Sequence, residues 1–165
     1  MAGARGRVGD PARAVAAAAR VATETGARLV QLLDARAVVD PEQLQVAAER
    51  ALRAYGEDRA VSKELGLEVL RYASGERQIA DALRRLGLRA DTERVGVVAV
   101  GPNAKGAVDR TLQALGLARD DTALQGGRDA LLALGVGAVE LRVVPEDAWV
   151  DLVLERVALV DVERR

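Results

Sequence analysis

The chain has 165 residues, half of them apolar, with 24 basic and 25 acidic side chains and a formal net charge of −1. That balance argues against a polyanion binder held by charge alone. There is no Cys and no His, so disulfides, thiolate chemistry, Cys- or His-built metal sites and the usual neutral-pH general base are missing.

The apolar stock is Ala, Val and Leu, with no Phe, one Trp and two Tyr, which makes the core aliphatic and argues against stacking of several bases on aromatic platforms. One domain spanning residues 1–165 suits this length. No continuous apolar leader core stands out at the N-terminus, and no apolar run approaches the roughly 20 residues that span a bilayer. A soluble cytoplasmic protein is expected, with no membrane contact, metal or cofactor.

The first eleven residues are rich in Gly and Arg and end at Asp10-Pro11. A helix is predicted from Pro11 or Ala12 to Thr25, with Asp10 as N-cap, Pro in its first turn and Gly26 closing it. Leu29–Val39 reads as a strand with a polar interruption. Asp40-Pro41-Glu42 repeats the same helix start, and that helix should bury Leu44, Ala47, Ala48, Ala51, Leu52 and Tyr55 before ending at Gly56. Ser62 is the candidate cap of the next helix, which carries Leu65, Val69 and Leu70.

The segment Gly66–Gly87 reads as two short helices joined at Ser74-Gly75. The second has an apolar stripe at Ile79, Ala82, Leu83 and Leu86, and Gly87 stands where a left-handed cap would close it. The junction carries Arg71, Tyr72, Ser74, Glu76, Arg77 and Gln78. Such a cluster suits an anion or a nucleic-acid end and contains no nucleophile–base pair.

Val95–Val100 is the strongest strand signal, being short, apolar and β-branched. A helix from about Ala104 to Leu115 ends at Gly116. Asp120–Leu134 reads as helical but is interrupted by Gly126-Gly127. Val139–Val144 alternates as a strand does, and Pro145-Glu146-Asp147 opens a last helix. From Ala148 to Val160 that helix is apolar around most of its circumference, which suits either central burial or a second face docked on a partner.

Charge is uneven along the chain. Residues 71–94 hold six Arg against four acids, and residues 140–165 hold four Arg against seven acids. The loop Gly101-Pro-Asn-Ala-Lys105-Gly106 follows a strand and precedes a helix, but its Lys comes before the second Gly and Ala107-Val108 replace the hydroxyl that a phosphate loop needs. An ordinary turn is the expectation.

The sequence GLEVLRYASGERQIADALRRLG resembles the signature segment of the KEOPS-complex subunit family known as the PRPK-binding protein (TPRKB) family. The matching positions are Glu68, Arg71, Ala73-Ser74-Gly75, Arg77-Gln78-Ile79 and Gly87. VQLLDARAVVDPEQLQVAAERAL is similar to the family's strand-then-helix region and VLERVALVDVERR to its C-terminal helix, with residues 102–140 the weakest stretch. Some members carry more N-terminal strand than Gly3-Ala4-Arg5-Gly6 offers, so a short sheet edge is expected there, or a start internal to a longer chain.

The resemblance implies an α+β fold, a small mainly antiparallel sheet covered by several helices, and a non-catalytic role. KEOPS places a threonylcarbamoyl group on the adenosine beside the tRNA anticodon. A separate subunit performs the transfer, and this family binds and stimulates a kinase-like ATPase. Archaeal-type members also hold the single-stranded CCA end of tRNA. The residues implied for tRNA are Arg71, Arg77 and Gln78, helped by Lys63, Arg84 and Arg85. On the last helix Trp149, Val153, Arg156 and Val160 form the side implied for the kinase-like subunit, with Val150, Leu154, Val157 and Ala158 toward the core or the two sides exchanged. The alternatives are a small-ligand or nucleotide-binding enzyme using the Gly101–Gly106 loop, and a kinase regulator without RNA contact.

Overall fold

The computed structural model describes residues 1–162, and among them it has eight α-helices and one four-stranded sheet. The fold is α+β, as expected. The chain divides into two compact units, the first built from Met1–Ala35 and Gly87–Leu124, the second from Arg36–Leu86 and the chain from Gln125 onward.

The first unit holds the sheet. Its strands are β1 (Ala2–Arg5), β2 (Leu29–Asp34), β3 (Arg94–Val100) and β4 (Ala118–Arg119), in the order β2-β3-β1-β4 with every pairing antiparallel. The N-terminal segment is therefore not an edge. β1 lies between β3 and β4, with Ala2 and Ala4 buried on one face.

Alternation then sorts the residues by face. Ala2, Ala4, Val30, Leu32, Val95 and Val97 join a core with Ala14, Ala18 and Val21 of α1 (Pro11–Thr25) and with Ala107, Val108 and Leu112 of α5 (Ala104–Leu115). On the other face Gly3 pairs with Gly96, and a single-turn helix at Asp121–Leu124 closes over them. A Cβ on Gly96 would stand 2.7 Å from Leu33 Cδ1, so this face has no room for a side chain there.

The caps behave as the sequence implies. Asp10 Oδ1 accepts from the Arg13 N–H at 3.0 Å, and Gly26 and Gly116 close α1 and α5 in the left-handed conformation. The expected strand Leu29–Val39 stops at Asp34, where a short 3₁₀ turn, Ala35–Ala37, takes over.

The second unit is helical. It comprises α2 (Pro41–Gly56), α3 (Leu65–Ser74), α4 (Ile79–Leu86), α6 (Gly127–Ala133), α7 (Glu140–Val143) and α8 (Trp149–Val162). Asp40 caps α2 through the Glu42 N–H at 2.8 Å. That helix buries Gln43 and Ala54, while Leu52 and Tyr55 stay half-buried. The Gln43 amide is fully engaged: its oxygen accepts from Val39 N–H at 2.8 Å and its nitrogen donates to Ala73 O at 2.7 Å and Ala37 O at 3.3 Å. A buried amide with both ends bonded fixes α2 against α3 without an unpaired polar group.

Four expectations are corrected here. The Ser62 hydroxyl accepts from the Glu64 N–H rather than from the first turn of α3, whose cap position is Glu64. Gly87 is not left-handed, so α4 ends without a glycine cap. The stretch 120–134 splits at Gly126-Gly127 into the Asp121–Leu124 turn and α6. Where a strand is expected over residues 139–144, Glu140–Val143 form the single helical turn α7, with Leu141 buried and Val139 and Val143 exposed. A six-residue apolar alternation fits either period, and one inward Leu is enough to settle it.

Candidate functional site

Helix α3 carries charge into the interior. Arg71 is 1% exposed and Glu68 0%, three residues apart on one helical face. Glu68 Oε1 accepts from Arg71 Nε at 2.9 Å and from a terminal guanidinium nitrogen at 2.5 Å, while Oε2 accepts from the backbone N–H groups of Val61 and Ser62 at 3.2 and 3.1 Å. The guanidinium also lies over the Tyr72 ring, 4.5 Å from its centroid. Both charges are neutralised and bonded, the condition under which a buried pair persists. Arg71, expected from the resemblance to face RNA, is instead 1% exposed with its guanidinium bonded to Glu68.

Tyr72 is the link to the C-terminal helix. Its hydroxyl donates to Asp161 Oδ1 at 2.5 Å, and Arg50 and Arg59 stand 3.7 and 3.8 Å from the same carboxylate. Burial first, and then the bond to Asp161, push the phenol up to about 12. Asp161 thereby clasps the end of α8 onto α2 and α3.

Gly75 closes α3 at φ 69°, a left-handed conformation that glycine adopts without penalty. A Cβ there would meet Arg156 Cβ at 3.2 Å, so α8 rests almost directly on the α3–α4 connection. The contact opens into a groove of about 710 Å³. One wall is Gly75, Glu76, Arg77, Gln78 and Asp81. The other is Leu152, Glu155, Arg156, Leu159 and Val160 of α8, with Glu140 of α7 beside them.

The structure thus brings Arg77, Gln78, Arg156 and Val160 together from two regions that sequence reasoning assigned to different partners. Arg77 and Gln78 are exposed, and Arg156 pairs with Glu140 at 3.6 Å. The other proposed residues do not join the lining. Lys63 is exposed on the approach to α3, and Arg84 is exposed and paired with Asp81. Arg85 is half-buried, bonded to Glu76 Oε1 at 3.2 Å and Ala133 O at 3.0 Å. Trp149 is half-buried, and its indole N–H is buried without a hydrogen-bond partner among the described residues.

The α8 assignment needs a second correction. Val153, Val157 and Val160 form the inward stripe, at 1%, 0% and 2% exposure. Val153 and Val160 are core residues, and the outward-facing apolar positions on the groove side are Leu152 and Leu159. Sequence reasoning missed those two together with Glu155 because a helix apolar on all sides gives no phase.

The loop Gly101–Gly106 is a turn leading into α5, with Gly106 inside the first helical turn and Lys105 exposed. Among the described residues no group of His, Cys, Asp and Glu is placed to hold a metal, and no helix is long and apolar enough to cross a membrane.

A four-stranded antiparallel sheet unit, a helical unit with buried ion pairing and an open polar groove describe a binding module. The chain belongs to the family described as kinase binding protein CGI-121, whose model matches residues 14–121. It is therefore a member of a kinase-binding family. No curated protein matches the sequence.

Proposed function

We propose that this chain is a non-catalytic, cytoplasmic KEOPS subunit of the archaeal type. It binds and stimulates the kinase-like ATPase and recruits tRNA through the CCA end for threonylcarbamoyl modification of the adenosine beside the anticodon. The observation that supports this reading is the family match over residues 14–121, which takes in the segment Gly66–Gly87 and one wall of the groove. With Arg71 buried, the RNA contacts fall to the exposed Lys63, Arg77, Gln78 and Arg84, with Arg85 behind them. Arg suits planar contacts to phosphates and base edges of single-stranded ends.

The test pairs two measurements. ATP hydrolysis by the purified kinase-like partner should rise when the chain is added, and the chain alone should show no turnover. Affinity for tRNA should drop when the CCA end is removed. No stimulation together with equal binding of tRNA with and without CCA would refute the reading.

A further inference from the structure

We propose that the groove between the α3–α4 connection and α8 receives the α7 turn of a second copy of this chain, in a two-fold pair in which each copy gives its turn and accepts the other's. Such a pair needs neither a kinase nor RNA, so it stands or falls apart from the functional reading.

The turn leaves hydrocarbon in water. Val139 and Val143 are 67% and 76% exposed, more than any other large apolar side chain among the described residues. Val139 precedes α7 and Val143 ends it, so the two stand four residues apart on one side, while Leu141 is buried on the other. The Leu141 N–H donates to Gly137 O at 3.0 Å and the Val144 N–H to Glu140 O at 3.1 Å. These bonds form the turn before anything meets it, which lowers the ordering cost of docking.

The groove offers the matching surface. Leu152 and the exposed Leu159 supply hydrocarbon on the α8 wall. Of the carboxylates in the lining, Glu76 pairs with Arg85, Asp81 with Arg84 and Glu140 with Arg156. Glu155 is exposed and has no ion pair among the described residues. Arg142, beside Val143 on the turn, is exposed and has none either. Turn and groove therefore each carry aliphatic surface and one unneutralised charge, of opposite sign. Charge complementarity of this kind selects the partner and fixes the register more than it adds affinity.

Position supplies the symmetry. Glu140 of α7 also lines the groove, so turn and groove adjoin on one surface. A patch holding both halves of a contact is self-complementary, and two copies close on each other about a two-fold axis. A single helical turn in each groove is a small contact compared with a permanent dimer, so the association is weak and depends on concentration.

Sedimentation equilibrium of the full chain over a concentration series tests this. The mean mass should rise from 17.4 kDa toward twice that value. Arg142→Glu and Glu155→Arg change exposed side chains and should leave the thermal transition in place. Each should weaken self-association by about tenfold or more, since each sets like charges against each other. The variant carrying both changes exchanges the two charges and should recover most of the loss. Val143→Ser should weaken the pair as well, whereas Leu132→Ser, exposed in the same unit but outside turn and groove, should not. A chain that keeps the monomer mass throughout overturns the proposal. A dimer that survives Val143→Ser and both charge variants lies on another surface and overturns it too. Loss in both charge variants without recovery in the combined one removes the α7 turn as the occupant.

Discussion

The two units solve the same packing problem with different means. The first is held mainly by size, with Ala, Val and Leu on one face of the sheet and paired glycines under a tight turn on the other. Its one buried carboxylate, Asp34, accepts from the Thr92 hydroxyl at 3.1 Å. The second buries a guanidinium, a carboxylate and a side-chain amide, and leaves seven large apolar residues open to solvent. Both units bury a carboxylate, but among the described residues the second buries its guanidinium partner as well and shows more large apolar side chains to solvent.

The largest expected effect tests the buried charge. Arg71→Ala leaves Glu68 interior and without its cation, and should cost about 3–5 kcal/mol of unfolding free energy. The loss is read as a shift of the urea midpoint. The double variant Glu68→Leu with Arg71→Leu should recover part of it, but not all, because Val61 and Ser62 would lose their acceptor. A single Arg71→Ala that unfolds at the wild-type midpoint would mean that the pair is not desolvated as described. Val153→Asp, on the inward stripe of α8, should cost several kcal/mol for the same electrostatic reason.

In the first unit the corresponding break is one of volume. Gly96→Ala places a methyl group 2.7 Å from Leu33 Cδ1 and should cost about 1–3 kcal/mol by overpacking. Its effect should not change with salt. Gly75→Ala should be milder in energy, about 1 kcal/mol for the left-handed backbone, yet it pushes on Arg156 and so on the groove. Kinase affinity should therefore fall more for Gly75→Ala than for Gly96→Ala, although Gly96→Ala is the more destabilising. The reverse order would show that the α8 wall is not set by its contact with the α3–α4 connection.

The smallest effect appears only in base. Tyr72 holds its proton up to about 12, pushed there by burial and then by the bond to Asp161, whereas an unfolded tyrosine ionises near 10. The folded state binds that proton more tightly, so the associated stability is fully present below about pH 10 and is lost as pH climbs toward 12. Tyr72→Phe should be less stable at neutral pH and should flatten that part of the pH profile. A profile unchanged by the substitution would place the alkaline loss elsewhere.

The first unit was the more legible in sequence. Asp10-Pro11 and Gly26 mark α1 because caps and turn residues carry their own local geometry, and Val95–Val100 has no helical alternative at its length. β4 has two residues and left no periodic trace. In the second unit the helices α2, α3 and α4 were readable, but what they do with their charges was not. An Arg in a loop-flanking helix is ordinarily solvated, and only the spacing Glu68–Arg71 within an otherwise apolar helix hinted at an internal pair. The phase of α8 was unreadable because its outward side is apolar too, with Leu152 and Leu159 beside the inward Val153, Val157 and Val160. The groove itself joins residues some eighty positions apart, so no local pattern contains it.

All three aromatic residues, Tyr55, Tyr72 and Trp149, fall in the second unit. Near-ultraviolet absorbance, circular dichroism in that range and intrinsic fluorescence therefore report on the helical unit alone, and the sheet unit is optically silent there. Trp149, with its indole N–H buried and unbonded among the described residues, sits at the start of the groove helix. A shift of its emission on adding the kinase-like partner would be a label-free reading of events near the groove. Any unfolding curve taken from that signal needs a far-ultraviolet counterpart before it speaks for the sheet.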